Sequence, residues 1–165
     1  MEQPPPAFTA HPETRIGHVH LKVADLPRAL AFWRDKLGLT LMLERPGAAF
    51  LSAGGYHHHI ALNTWESAGG TPPPAHHTGL YHVALLYPNR AALATIVKRL
   101  LGAGVTLDGA SDHGVSEAIY LRDPDGNGVE LYRDRPQAEW PRDAEGAMTM
   151  FTRRLDVAGL LAEAA

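Results

Sequence analysis

Two short apolar runs, Ile16–Val23 and Tyr81–Tyr87, each lead into a stretch with apolar residues at helical spacing. In Leu26–Leu37 the apolar stripe is Leu30, Trp33 and Leu37, and in Ala91–Leu101 it is Leu93, Val97 and Leu100. Spacing of three to four residues places each set on one helix face. Asp25-Leu-Pro27 and Pro88-Asn89 supply start signals, and Gly38 and Gly102 supply stops. Strand-like runs follow each helix. They are Leu39–Glu44, Ala48–Ser52 and His57–Asn63 in the first half, then Val105–Leu107, Glu117–Arg122 and Val129–Arg133 in the second.

The order of elements is therefore the same twice. A shift of 64 positions lays His18 on His82, Val19 on Val83, Leu21 on Leu85, Leu37 on Leu101 and Gly38 on Gly102. The chain predicts an α+β fold of two βαβββ repeats, each a unit that needs the other to close its core. The expected organisation is a flexible N-terminal arm over 1–15, one domain over 16–136 with repeats at 16–65 and 80–136, and a C-terminal tail over 137–165. The proline-rich segment Glu66–Gly79 reads as the linker between repeats, and Leu155, Leu160 and Leu161 predict a short amphipathic helix near Val157–Ala164.

Composition narrows the chemistry. The chain has 165 residues, enough for one sizeable core, and its net charge of −3 argues against nucleic acid or an anionic membrane as the main partner. No run approaches the ~20 apolar residues of a membrane span. No cysteine is present, so thiolate ligands, thiol nucleophiles and disulfides are excluded, which fits a cytoplasmic protein. Ten histidines stand out. Chemistry here runs through imidazole, carboxylate or phenol.

A lone histidine on an apolar strand is normally a hydrogen-bonded core residue. His18 and His82 hold repeat-equivalent places, however, and pseudo-twofold packing would aim both at one spot. Ile60-Ala61-Leu62 aligns with Val129-Glu130-Leu131, so Glu130 is a carboxylate between apolar neighbours. Such a group needs a partner or a metal, and a salt bridge at a strand end is its other reading. His18, His82 and Glu130 together make a candidate site for one divalent ion. Two imidazoles and one carboxylate leave open positions, which suits Fe(II) first and Mn(II) next, with Zn(II) or Ni(II) as alternatives. Asp123-Pro-Asp-Gly-Asn-Gly128 opens like a calcium loop but has strand-like flanks and Asp134 at its twelfth position, so it reads as a turn.

The motifs His18-Val-His-Leu-Lys-Val-Ala-Asp-Leu, His82-Val-Ala-Leu-Leu and Asp123-Pro-Asp-Gly-Asn-Gly-Val-Glu-Leu-Tyr resemble the vicinal oxygen chelate superfamily. That group holds glyoxalase I, bleomycin-resistance proteins and extradiol catechol dioxygenases. The resemblance covers about Ile16 to Pro136 and implies the same three metal ligands. Glyoxalase I would have a fourth ligand, a carboxylate, where this chain has Ala61, which favours the dioxygenase branch.

Two further stretches resemble extradiol enzymes. In Gly55-Tyr-His57-His58-His59, the best match to the histidine beside bound oxygen is His58, although strand alternation puts His57 and His59 opposite it and a bulge would exchange them. His113-Gly-Val-Ser-Glu-Ala-Ile-Tyr120 resembles the segment bearing the second histidine and the tyrosine, with a spacing two residues shorter. The resemblance implies a small aromatic substrate, O2 and a homodimer; Phe50, Leu62 and Trp65 are candidate apolar walls, with core packing as their default reading. A glyoxalase-type lyase or isomerase, or a non-catalytic ligand-binding protein of the bleomycin-resistance type, are the competing readings.

Overall fold

A computed structural model describes residues 8–165, so residues 1–7 of the expected arm lie outside the described residues. The first half runs β1 (Val19–Lys22), α1 (Leu26–Leu30), β2 (Thr40–Arg45), β3 (Ala48–Ser52) and β4 (Ile60–Asn63). The second runs β5 (Val83–Leu86), α2 (Arg90–Gly102), β6 (Leu107–Asp112), β7 (Ser116–Arg122) and β8 (Gly128–Asp134). The tail adds β9 (Arg153–Arg154) and α3 (Val157–Leu161). The fold is α+β, as the pattern predicts.

Each half builds one sheet with the same plan. The orders are β1-β4-β3-β2 and β5-β8-β7-β6-β9, with the first strand of each half lying parallel to the last. Both sheets carry a register shift in the second strand of the repeat, at Leu41/Leu43 and at Leu107/Gly109. The repeat is thus preserved down to its bulges.

The helices start where their caps require. Asp25 Oδ1 accepts the Arg28 N–H at 2.9 Å, and Asn89 Oδ1 accepts the Ala92 N–H at 2.9 Å. The predicted first helix is helical throughout but changes pitch. After α1 it widens into a π-helical turn over Ala31–Lys36, where Leu37 N–H reaches the Phe32 carbonyl at 2.9 Å. Both Phe32 and Trp33 are buried in this turn, with ring centroids 5.5 Å apart in an edge-on arrangement. One core joins the halves, from Leu21, Leu30 and Trp33 through Leu51 and Leu62 to Leu93, Leu100, Ile119 and Leu131.

The Asp123–Gly128 segment is the predicted turn: Asp123 Oδ1 accepts the N–H groups of Asp125 and Asn127, each at 2.9 Å. It is also a clasp between the repeats. Asp125 Oδ1 accepts from Ala24 N–H at 2.9 Å and from the Arg28 guanidinium at 2.6 Å, and Trp33 Nε1–H donates to Asp123 Oδ2 at 3.3 Å.

Three expectations need correction. The runs at Ile16 and Tyr81 begin too early, because Ile16 and Tyr81 are exposed and the strands start at Val19 and Val83. His18 and His82 consequently sit one residue before their strands. The triplet His57-His58-His59 is irregular, since the chain turns through Gly54 and Gly55 at positive φ, and β4 begins only at Ile60. The predicted Val105–Leu107 strand is displaced: β6 runs Leu107–Asp112, held between β7 and the tail strand β9. No helix among the described residues is long and apolar enough to cross a membrane.

Candidate active site

Side-chain alternation gives each sheet a face turned to the core and a face turned away from it. On the outward face of the second sheet, pairing lines up Ala84, Glu130, Tyr120 and Gly109 in one row. The equivalent row of the first sheet is His20, Ala61, Phe50 and Leu43. Glu130 and Tyr120 therefore stand side by side, flanked by a methyl group and by no side chain at all. The position of Glu130 is filled by Ala61 in the first half, and that of Tyr120 by Phe50.

His82 enters this row from the end of the linker. Its Nε2 lies 2.8 Å from Glu130 Oε2, both side chains being mostly buried. Gly128 makes this approach possible, because a Cβ there would run into the Tyr81 carbonyl oxygen and press on His82. The His82 ring is 5.9 Å from that of Tyr120. Tyr120 donates or accepts at His113 Nε2 over 2.7 Å. Burial first, and then the Glu130 carboxylate, push the Tyr120 phenol up to about 12, so it keeps its proton through the neutral range.

His18 stands in the first half at the matching place, with its ring centroid 4.4 Å from that of His58. His58 in turn meets Phe50 at 5.1 Å, and its Nδ1 lies 2.8 Å from His57 Nδ1. Burial and then the neighbouring His18 lower the His58 pKa below its ordinary value, which favours the neutral imidazole. His59 turns the other way, to Ser52 Oγ at 3.1 Å. Of the triplet, His58 is the one against His18.

The structure thus brings His82, Glu130, Tyr120 and His113 together, and separately brings His18 to His58. Among the described residues no three histidine, aspartate or glutamate side chains converge on one ion-sized point. His82 and Glu130 suit a divalent ion as they stand, an imidazole nitrogen and a carboxylate oxygen at adjacent, partly open positions. Of the proposed walls, Phe50 lines the His58 cluster and Trp65 packs at 5.6 Å on His20, 63% exposed. Leu62 does not line the site. It is fully buried in the row of Leu21 and Ala49, on the core face.

Sequence reasoning missed the rim. A cavity of about 210 Å³ lies beside His82 and Tyr120, bounded by Tyr81, Arg122 and Gly128. Arg122 Nε pairs with Asp108 Oδ2 at 2.9 Å across strands β6 and β7. Cross-strand charge pairing was the available signal, but it needed the register of β6, which the pattern misplaces.

The sequence model of the Glyoxalase/Bleomycin resistance protein/Dioxygenase superfamily matches residues 15–131. The chain is 42% identical over 154 residues to Catechol-2,3-dioxygenase of Bacillus subtilis (strain 168), covering 93% of this chain and 53% of that protein. It is 35% identical over 121 residues to Biphenyl-2,3-diol 1,2-dioxygenase 3 of Rhodococcus globerulus, covering 73% of this chain and 63% of the relative. The chain therefore spans only about half to five-eighths of the length of these relatives. Among solved structures, a glyoxalase/dioxygenase from Nostoc punctiforme superposes with a TM-score of 0.65 at 16% identity, covering 79% of this chain and 97% of that one. With two βαβββ sheets, the motif order and these matches in agreement, the chain belongs to the glyoxalase/bleomycin resistance/dioxygenase superfamily.

Proposed function

We propose that this chain is an extradiol ring-cleaving dioxygenase unit that takes a catechol-type aromatic and O2, with Fe(II) held by His82 and Glu130, which stand together, and by the repeat-equivalent His18, which does not join them in one cluster here. The observation that carries the reading is the His82–Glu130 pair at 2.8 Å with the Tyr120–His113 pair beside it. An ion-binding pair next to a protonated phenol and an imidazole supplies both halves of the chemistry such a cleavage needs. The names of the two relatives above agree with it.

An iron bound here would orient catechol and oxygen against each other and couple them electronically. The chain's own groups do the rest. Tyr120, protonated and next to Glu130, presents its phenol oxygen to a substrate hydroxyl. His113 stands behind it within hydrogen-bond reach, as the partner that exchanges a proton with the phenol. His58, held neutral, is an acceptor for a substrate or oxygen proton and returns it later as general acid. The cavity at His82 is smaller than those that enclose drug-sized ligands, which favours a single small ring. Ala61 leaves no carboxylate at the first-sheet position equivalent to Glu130, which disfavours a glyoxalase-type reaction. We extend the proposal to a homodimer, because Ile16, Tyr81 and Leu86 leave exposed apolar surface at the free edges of β1 and β5.

The test is metal loading without air, followed by oxygen uptake and product absorbance with a panel of catechols. Stoichiometric Fe(II) and a yellow semialdehyde product are expected. Alanine at His82 or Glu130 should abolish stoichiometric binding, and Tyr120→Phe should slow turnover while leaving the iron in place. His58→Ala should lose roughly 10²–10⁴-fold in rate. Full iron occupancy in all three ligand variants (His18→Ala, His82→Ala, Glu130→Ala) would overturn the ligand set, and no uptake with any catechol would overturn the reaction.

A further inference from the structure

The C-terminal tail lies outside the repeats, yet it passes against the site at Phe151. His113 occupies the turn between β6 and β7, and its two ring nitrogens face different segments. Nδ1 lies 3.1 Å from the Phe151 carbonyl oxygen, and Nε2 lies 2.7 Å from the Tyr120 hydroxyl. A carbonyl oxygen can only accept. The Thr152 hydroxyl, 3.3 Å from Nδ1, can accept there as well. With the closer Phe151 carbonyl as its partner, Nδ1 carries the hydrogen of the neutral ring, Nε2 carries the lone pair, and the Tyr120 O–H donates to it.

The carbonyl is held there firmly. Phe151 N–H donates back to the His113 carbonyl at 3.3 Å, closing a two-way bridge. Arg153 and Arg154 pair with Asp112 and Ser111 of β6, and the Arg153 guanidinium stacks 4.2 Å over the Phe151 ring. Leu155 and Leu160 are buried in the common core. Beyond them, Arg90 takes the Gly159 carbonyl and Glu163. Gly114, next to His113 at φ +78, leaves room for the tail: a Cβ there would stand 2.6 Å from the Phe151 ring and 2.8 Å from Pro141. The family match ends at Leu131, whereas the 154-residue match to the Bacillus subtilis dioxygenase must run into the tail. The tail thus lies beyond the family match and at least partly within the match to that relative.

We propose that the tail is a positioning element of this site, in which the Phe151 carbonyl fixes His113 as its Nδ1–H tautomer so that Nε2 takes the Tyr120 hydrogen and the phenol oxygen faces the substrate as an acceptor. Its catalytic meaning rests on the dioxygenase reading, but the tautomer does not. Phe151 is a positioning residue. It acts through His113 on Tyr120, and it touches neither substrate nor ion. A phenol committed in this way would accept a hydrogen bond from a catechol hydroxyl, and proton movement from substrate to Tyr120 to His113 needs no change of partners.

The experiment is a long-range proton–nitrogen correlation spectrum of the full-length, metal-free protein labelled with 15N, with His113 assigned by His113→Gln. The expected wild-type pattern is a protonated Nδ1 and an unprotonated Nε2 at His113. Both variants keep the main-chain carbonyl of residue 151 and act by shifting it: Phe151→Ala removes the ring that seats the tail against Gly114 and under Arg153, and Gly114→Ala pushes that ring away. In each, His113 should populate both tautomers while the other imidazole signals stay in place. Phe151→Ala guards against misfolding at the strained Gly114. A wild-type Nε2–H tautomer, or wild-type tautomer populations in both variants, would overturn the proposal. Absence of ring cleavage alongside the expected tautomers would count against the dioxygenase reading and leave the role of the tail supported. With activity present, both variants should lose kcat with KM for catechol little changed.

Discussion

Replacing Glu117 by alanine removes the one acid on which three guanidinium groups converge. Its side chain, only 6% exposed on β7, accepts from Arg90 Nε at 2.9 Å, from Arg133 Nη2 at 2.8 Å and from Arg135 Nη2 at 3.2 Å. Adding three charged hydrogen bonds would overstate the loss, because two of the arginines have second partners. Arg90 keeps Glu163, and Arg135 keeps Asp112 at 2.8 Å. Arg133, 13% exposed, is left with the Asp134 carbonyl at 3.4 Å. The effect is then that of stripping one partner from a buried ion pair, about 3–5 kcal/mol, and we expect the low end, about 3. For a chain of this size that corresponds to a fall of roughly 6–12 °C in Tm. Urea unfolding followed by tryptophan fluorescence, at equal m-value, gives the measurement. A Glu117→Ala protein within about 1 kcal/mol of wild type would refute the reasoning, because it would mean the arginines are adequately solvated without the acid.

Two further outcomes follow from single contacts. Gly128→Ala should push the Tyr81–His82 backbone away from β8 and weaken Fe(II) binding more than ten-fold, read by anaerobic titration; unchanged affinity in a folded variant would show that His82 does not depend on this close approach. Tyr87, raised to about 12 by burial, and Tyr120, raised to about 12 by burial and by Glu130, should both resist ionisation when the folded chain is titrated by phenolate absorbance. Because these folded values exceed the ordinary value near 10, the stability they contribute is complete below pH 10 and is lost as pH rises through 12. If all five tyrosines of the folded protein ionised near 10, the burial argument would fail.

What was legible in the sequence is what repeats. The offset that lays His18 on His82 also lays β1 on β5, because both strands use the same apolar spacing and pair in parallel with the last strand of their half. Equivalence of two places fixes their local surroundings and nothing more. How the halves sit together depends on Asp123, Asp125, Trp33 and Arg28, contacts between residues about a hundred apart whose local signals are only a turn, a cap and a helix face. The histidine triplet could not be parsed from the sequence for a related reason. Alternation assumes a strand, and Gly54 and Gly55 at positive φ delay β4 until after His59. A two-residue strand such as β9 has no periodicity to read, so the tail was legible as a helix near Val157 and silent about the edge it completes.

The two rows across the sheets share a register and differ in chemistry. Pairing puts Ala61 and Phe50 where the second half has Glu130 and Tyr120, so one register holds an apolar pair in one repeat and an acid and a phenol in the other. The substitutions change little in backbone requirement, since each pair sits on the same strands at the same register. They change the chemistry entirely. An alanine and a phenylalanine can only wall a cavity, whereas a carboxylate next to a phenol can hold an ion and control a proton. Of the two sheets the tail pairs with the second, at the far edge from β5, where it reaches His113 and through it Tyr120. Each polar group added to that row has therefore acquired a partner of its own: His82 for Glu130, His113 for Tyr120 and Phe151 for His113. Buried polar groups are costly when unpaired, and this chain of partners is what lets the second repeat keep reactive side chains where the first keeps methyl and phenyl groups.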